Sequence, residues 1–183
     1  GYDCWEGHPE LPRLDLTNEE VRRHVFDIAK FYLAEVGIDG WRLDVAHQID
    51  PAFWAAFRAE CKAVRADCLL VGEMMHGNYT TWVGPALLDS AINCQLSNAV
   101  WSALNTRNFT ELVEAMHRDD VLYSNFLSVN FVSNHDTTRI ASRLDNPAHV
   151  PLALTLLTTL RGMPCLYYGD ELGLRGKKEG GMP

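Results

Sequence analysis

Apolar segments of strand length alternate with amphipathic segments of helix length along this 183-residue chain, and this order restricts the fold more than any other feature. The predicted strands cover residues 38–46, 68–72, 87–95, 126–133 and 165–168. The predicted helices cover residues 17–36, 51–66, 98–105, 108–117 and 151–161. Because strands and helices that alternate at about 30-residue spacing form βαβ units, we predict an α/β protein with a parallel sheet.

The number of predicted strands leaves two architectures open. A closed (β/α)8 barrel needs eight strands and about 250 residues, whereas an open doubly wound sheet has free edges and fewer strands. Five strands therefore predict either an open doubly wound sheet or part of a barrel.

Polar residues, glycine and proline mark the predicted helix ends. Thr17 and Glu20 have the spacing of a capping box, and Gly37 stands where a helix ends in the left-handed conformation. Asp50 and Pro51 supply an N-cap and a proline at the first helical position. The predicted buried face of the first helix consists of Val21, Val25, Ile28, Tyr32 and Val36. Residues 1–12 and 176–183 are predicted to be loops.

Three acidic residues each follow an apolar strand on its C-terminal side: Asp44, Glu73 and Asp136. In a parallel barrel such side chains converge on one rim, where barrel enzymes carry their active sites. A single acid at a strand end is more often a helix cap or an ion-pair partner, and Asp44 could simply pair with Arg42. Three acids in register favour a shared function instead.

Paired carboxylates are the usual apparatus for cleaving a glycosidic bond, because one attacks the sugar while the other protonates the leaving oxygen. Arg42 lies two positions before Asp44 on the same strand face and is predicted to contact it. His135 can donate a hydrogen bond to a sugar hydroxyl. Gly72, next to Glu73, is expected to leave room for the substrate.

The composition argues against several other classes of function. The formal net charge is −8, which disfavours nucleic acid as a partner. There is no apolar run of the roughly 20 residues needed to span a membrane, no recognisable signal peptide and no glycine-rich phosphate loop after a strand. Five scattered cysteines without a CxxC pair argue against a zinc site or a disulfide framework. We therefore expect reduced, mostly buried thiols and a cytoplasmic location.

Several stretches in the same order resemble glycoside hydrolase family thirteen, the α-amylase family, over nearly the whole chain. They are ELPRLD at 10–15, GWRLDVAH at 40–47, VGE at 71–73, FVSNHDT at 131–137 and MPCLYYGDE at 163–171. Taken in that order, the stretches resemble five segments of the family: the segment before the fourth barrel strand, the nucleophile strand, the acid/base strand, the strand of the third carboxylate and the eighth strand. The resemblance therefore implies the C-terminal portion, about strands four to eight, of a (β/α)8 TIM barrel, with residues 1–15 as the preceding linker.

The resemblance also implies a role for each acid. Asp44 corresponds to the nucleophile, Glu73 to the general acid/base and Asp136 to the transition-state stabiliser. The stretch at 44–49 looks closest to the neopullulanase and cyclomaltodextrinase branch. This implies a retaining hydrolase of α-1,4 bonds in starch-derived oligosaccharides, with α-1,6 bonds as a second linkage and with a transglycosylase or a non-catalytic carbohydrate-binding relative as alternatives.

Three further residues correspond to substrate-binding positions of the family. Arg42 would position the nucleophile, and His135 would bind the sugar at the subsite of cleavage. His47 is either a contact on the acceptor side or a cap of the next helix. Cys94 and Met75 depart from the family pattern, because an aromatic residue and a tryptophan are common at these positions.

The expected partner is thus an α-glucan oligosaccharide, without nucleic acid or membrane. We predict no cofactor and no metal ligands in this chain, and the resemblance leaves a calcium site in a longer protein open. A partial barrel exposes a strand edge on each side, so we also predict self-association through these edges and little or no activity of the isolated chain.

Overall fold

The computed structural model describes residues 1–178, which contain a small antiparallel sheet and a larger parallel one. The small sheet pairs β1 (Cys4–Trp5) with β2 (His8–Pro12). The strands of the parallel sheet are β3 (Gly40–Leu43), β4 (Leu69–Met74), β5 (Ser90–Asn93), β6 (Val129–Asn130) and β7 (Met163–Pro164).

The order of the strands decides between the two predicted architectures. Neighbouring strands run parallel and in chain order from β3 to β7. A doubly wound sheet reverses its order at a switch point, and the part of the chain described here has no such reversal. The sheet is therefore an arc of a barrel, and the prediction of an α/β fold is confirmed.

Helices connect these strands. Their bounds are α1 (Glu19–Phe31), α2 (Pro51–Val64), α3 (Cys94–Thr106), α4 (Thr110–Val121), α5 (Ile140–Arg143) and α6 (Val150–Thr159). Helix α1 continues as one π-helical turn and ends at Gly37, whose φ of 79° is left-handed as predicted. Helix α2 begins after Asp50, whose side chain accepts a hydrogen bond from the backbone of Ala52, also as predicted.

Two hydrophobic clusters fill the space between the layers. The first is built on three aromatic residues of α2 that are each 3% exposed: Phe53, Trp54 and Phe57. The second joins α3, α4 and α6, with Val100 and Leu157 at its centre. The first cluster also supports the loop after β3, because Trp54 Nε1 donates a hydrogen bond to the carbonyl of Ala46 at 3.0 Å.

The start of α1 differs from the predicted capping box. Asn18 is the N-cap, and its Oδ1 accepts hydrogen bonds from the backbone of Glu20 and Val21. The Thr17 hydroxyl donates instead to Asp15 at 2.6 Å. Asparagine is a better N-cap than threonine, and Thr17 already has a partner.

The predicted buried face of α1 is also wrong in part. Ala29 and Leu33 are buried, whereas Ile28, Tyr32 and Val36 are between 42% and 55% exposed. The helix turns its Ala29 side toward α2, and the ring of Tyr32 lies 5.5 Å from that of Trp41 in β3, centroid to centroid. Within residues 1–178 no strand pairs with the outer side of β3.

Both ends of the chain differ from the predicted loops and strands. Residues 4–12 form a hairpin rather than a loop, and its turn at Glu6 and Gly7 has two positive φ angles, as a type I′ turn requires. The last strand is Met163–Pro164, just before the predicted residues 165–168. Residues 176–178 have no helix or strand, as predicted, and residues 179–183 lie outside the described part.

The cysteines and the helix lengths bear on two further expectations. All five cysteines are free, but only Cys61 and Cys68 are buried, and Cys165 is exposed. The expectation of mostly buried thiols is therefore wrong. Within the described residues, no helix combines the length and the apolar composition needed to cross a bilayer.

Asp89 is predicted to stabilise the N-terminal edge of the sheet. It forms ion pairs with Arg58 and with Lys62 Nζ at 3.0 Å and accepts a hydrogen bond from the backbone of Leu70. Burial alone would raise the pKa of Asp89, but the bonds from Arg58 and Lys62 outweigh it and lower the pKa. We expect Asp89→Asn to reduce the free energy of unfolding at pH 7 by about 2 kcal/mol.

A lowered pKa in the folded state means that this stabilisation is complete above the ordinary aspartate pKa of about 4 and is lost as the pH falls through the lower folded value. The difference between wild type and Asp89→Asn in urea unfolding should therefore shrink below about pH 4. A difference that does not change with pH would contradict the assignment.

The isolated 183-residue chain is predicted to self-associate, because β3 and β7 are the outer strands of the parallel sheet within residues 1–178 and α1 exposes apolar side chains. Size-exclusion chromatography with light scattering should show a mass that rises with protein concentration. A monomer over the whole concentration range would show that neither edge pairs.

Candidate active site

Asp44 and Glu73 lie side by side at the C-terminal edge of the parallel sheet. Asp44 directly follows β3, and Glu73 lies near the end of β4. The strand register pairs Leu43 with Gly72, so the next residue of each strand is Asp44 or Glu73. Because parallel strands end on the same side, both carboxylates reach the same edge of the sheet.

One guanidinium group joins the two carboxylates. Arg42 forms an ion pair with Asp44 through Nη1 and donates from Nη2 to Glu73 Oε1 at 2.6 Å. The planar fork of arginine can bind two carboxylates at once. The side chain of Asp44 is 70% exposed and that of Glu73 is 9% exposed. The predicted pair of Arg42 with Asp44 is therefore only half of the interaction, because Arg42 also binds Glu73. Of the two acids, Asp44 is the one open to a ligand.

The other oxygen of Glu73 is bound by the backbone. Val45 N donates to Glu73 Oε2 at 3.0 Å, and Val45 has φ 46° and ψ 36°. This left-handed conformation is rare for a β-branched residue and costs free energy. It lets the chain turn sharply after β3 and directs the amide of Val45 at the carboxylate.

Asp136 lies in the loop after β6 rather than at a strand end. Strand β6 ends at Asn130, so the prediction of a strand through residue 133 is wrong. Two contacts orient Asp136: its backbone N–H donates to Asn134 Oδ1 at 3.0 Å, and its Oδ2 lies 2.9 Å from His135 Nε2. His135 itself is 63% exposed and accessible to a ligand.

The thiol of Cys94, the first residue of α3, lies near both Asp136 and Glu73. The pKa of Cys94 is raised to about 12, chiefly by burial and then by the charge of Glu73, while Arg42 opposes the rise and Asp136 adds to it. Glu73, Asp136 and Arg42 are thus all close enough to this partly buried thiol to change its pKa. The structure therefore brings Asp44, Glu73 and Asp136 to one end of the sheet.

His47 lies beside Glu73 and does not cap a helix. It belongs to the 3-10 turn Ala46–Gln48, and its Nδ1 is 3.4 Å from the backbone carbonyl of Glu73. Its ring is 5.3 Å from that of His76, centroid to centroid. Since Asp50 caps α2, the alternative of His47 as a cap is wrong, and two imidazoles border the site next to Glu73.

Gly72 has a different role from the one predicted. A side-chain carbon at this position would meet Leu88 and Met74 at 2.7 Å and Ala46 at 3.2 Å. The glycine therefore allows close packing of the core behind Glu73 and leaves no room for a ligand. Met75, in contrast, is 39% exposed on the same side as the acids.

Sequence reasoning missed two contacts in the site. No sequence signal identifies the Val45 amide, because valine is not expected in the left-handed conformation. Lys178 lies in the segment predicted to be a truncated loop, yet its Nζ is 3.5 Å from Asp136 Oδ1. A lysine in a glycine-rich tail gives no indication of its partner. In residues 1–178, no group of three or more His, Cys, Asp or Glu side chains is arranged to hold a metal ion.

Comparison of the sequence with known proteins matches the chain to one family. The family described as "Alpha amylase, catalytic domain" matches residues 2–182. Neopullulanase 2 of Thermoactinomyces vulgaris is 37% identical over 92% of this chain and 29% of its own length. A cyclomaltodextrinase of Geobacillus thermopakistaniensis is 33% identical over 96% of this chain and 31% of its own length.

The fold is shared with solved structures as well. The α-amylase of Geobacillus thermoleovorans, complexed with acarbose, superposes with a TM-score of 0.84 at 30% identity, covering 92% of this chain and 40% of that protein. The chain spans about a third of the length of the curated relatives it matches.

The strain at Val45 can be tested by comparing two truncations. Glycine is normally less stable than alanine by about 0.5–1 kcal/mol. In the left-handed conformation, however, a Cβ costs about 1–2 kcal/mol. We therefore expect Val45→Gly to be more stable than Val45→Ala in urea unfolding.

The control for this comparison is Ala59→Gly on the exposed face of α2, which should lower stability. A Val45→Gly variant that is less stable than Val45→Ala would show that the position is unstrained.

Proposed function

The chain belongs to the α-amylase catalytic-domain family, and on that premise we propose that it carries the three working carboxylates of a retaining α-glucan hydrolase. Asp44 is the nucleophile, Glu73 the general acid/base and Asp136 the stabiliser of the transition state. The observation that carries this proposal is the shared contact of Arg42 with Asp44 and Glu73.

The proposed reaction has two steps. Asp44 attacks the anomeric carbon while Glu73 gives its proton to the leaving glycosidic oxygen, so the C–O bond breaks and a glycosyl ester forms on Asp44. Glu73 then takes a proton from water, the water oxygen attacks the same carbon, and the ester bond breaks. Each step inverts the anomeric centre, so the product retains the α configuration.

The distribution of exposure supports these roles. The carboxylate of Asp44 is mostly exposed and can attack a sugar, whereas the side chain of Glu73 is mostly buried against the sheet. Retaining enzymes keep the two carboxyl groups about 5–5.5 Å apart. A single guanidinium that contacts both carboxylates is compatible with this range.

The substrate class is proposed from the relatives. Neopullulanase and cyclomaltodextrinase are named for α-glucan substrates, so we propose short or cyclic α-1,4-glucans, with α-1,6 bonds as a second linkage. Arg42, His135 and His47 would then contact or orient the sugar. We propose no cofactor for this reaction, and the free thiols support a cytoplasmic location.

A transglycosylase on the same apparatus is the alternative favoured by one observation, the two imidazoles of His47 and His76 beside Glu73, which can donate hydrogen bonds to an acceptor sugar. It would transfer the glycosyl group from Asp44 to a sugar hydroxyl instead of water. Incubation with maltotriose separates the two functions, because oligosaccharides longer than the substrate reveal transfer and only shorter ones reveal hydrolysis.

The proposed roles predict a specific pattern of loss in the full-length protein. Glu73→Gln should lower kcat on maltotriose by about 10²–10⁴-fold, the usual contribution of a general acid/base. Asp44→Asn should abolish turnover, because the amide does not form the glycosyl ester. Initial products followed by proton NMR should be α-anomers.

Asp39→Asn is the matched control, since Asp39 precedes β3 at the opposite end of the strand and its side chain is 91% exposed. Its activity should equal that of the wild type. Initial β-anomers, or full activity of Asp44→Asn, would refute the retaining mechanism.

A further inference from the structure

A buried ion pair lies behind the loop that carries His135 and Asp136, and the proposed chemistry does not use it. Asp170, in the 3-10 turn after β7, has a side chain that is 0% exposed, and the side chain of Arg139 is 13% exposed. Arg139 Nη1 lies 3.3 Å from Asp170 Oδ1 and donates to the carbonyl of Tyr168 at 2.7 Å.

Arg139 is held from several sides at once. Its guanidinium carbon is 4.6 Å from the ring centroid of Tyr167 and 4.7 Å from that of Tyr168. Its backbone N–H donates to the carbonyl of Gly176 at 3.0 Å. The end of the loop after β6 is therefore fixed to the segment after β7 by a charge, two aromatic faces and a backbone bond.

Asp170 also reaches the beginning of the same loop. The Ser133 hydroxyl accepts a hydrogen bond from the backbone of Ile140 at 2.7 Å, and it is close enough to Asp170 to lower the pKa of this acid. Burial is the larger effect and raises the pKa of Asp170 overall. Ser133 and Arg139 enclose the five residues that include His135 and Asp136, so one buried carboxylate is ion-paired with one end of that loop and lies near the other end.

We propose that Asp170 and Arg139 are positioning residues that hold Asp136 in place against Glu73. A buried ion pair is an expensive way to stabilise a fold, since apolar residues of similar volume often serve equally well. Asp170 Oδ2 even lacks a hydrogen-bond partner among the described residues. Such a costly pair is more easily explained by the fixed geometry it gives to the loop.

The inference rests on the proposed function, because it acts through Asp136. A displacement of about 1 Å in a group that acts in the transition state can cost up to 10²-fold in rate. Loss of the clamp should therefore lower kcat far more than it changes KM. A purely structural role would lower the unfolding temperature and leave kcat of the folded enzyme unchanged.

The test compares Asp170→Asn with Asp89→Asn in the full-length protein. Both variants remove the charge of a carboxylate paired with arginine, but Asp89 lies at the opposite edge of the sheet. At a temperature where both are folded by circular dichroism, Asp170→Asn should lower kcat on maltotriose about 10–100-fold with KM within about threefold. Asp89→Asn should keep kcat within about twofold. Equal values of kcat for the two variants would overturn the proposal.

Hydrogen exchange provides a readout that does not depend on activity. The amides of residues 134–139 should exchange faster in Asp170→Asn than in Asp89→Asn or wild type, and unchanged exchange would overturn the proposal. If the wild type turns over no α-glucan, the proposed function fails, while faster exchange of these amides still supports the clamp.

Arg139→Lys provides a second variant if Asp170→Asn does not fold. Lysine keeps the charge but loses the planar fork and its stacking on the tyrosines. The kcat of Arg139→Lys should fall. The kcat of Arg58→Lys, the equivalent change in the partner of Asp89, should keep the wild-type value. Equal kcat in these two lysine variants would contradict a positioning role.

Discussion

The arrangement of the site depends on one shared cation. Two carboxylates held close together repel each other, and Arg42 between Asp44 and Glu73 compensates for this repulsion. The parallel register of β3 and β4 makes the contact possible, because it pairs Leu43 with Gly72 and so brings Asp44 level with Glu73 at the same edge. The chemistry of the site therefore follows from a feature of the sheet, namely that all its strands end on one side.

The loops around this contact are held by the core beneath them. The left-handed Val45 is tolerated because the next residue, Ala46, is completely buried and is bonded to Trp54 of α2. Gly72 lets Leu88 and Met74 pack directly behind Glu73. Strain and close packing of this kind are frequent where a protein must hold a few groups in one geometry.

Much of the fold could be predicted from the order of apolar and polar residues. Helix α2 is recognisable because Asp50 and Pro51 both mark its start through local interactions. The strand β4 is recognisable because it lies in a continuous apolar run of strand length. The errors lie where neighbours compete or where a tertiary partner decides. Asn18 displaced Thr17 as the cap of α1, and the buried side of that helix was set by its contact with α2. Strand β6 is short because only two of its residues pair with a neighbour.

The sequence alone determined which residue types follow which strands, since a carboxylate or an apolar run is a local property of the chain. It thereby indicated the α/β class and the candidate acids Asp44, Glu73 and Asp136. Only the tertiary structure decided that the strands keep their chain order, that Arg42 is shared and that Asp170 forms an ion pair with Arg139 at the end of the Asp136 loop. These are contacts between residues far apart in the chain, and their geometry depends on how the sheet curves and how the helices pack against it.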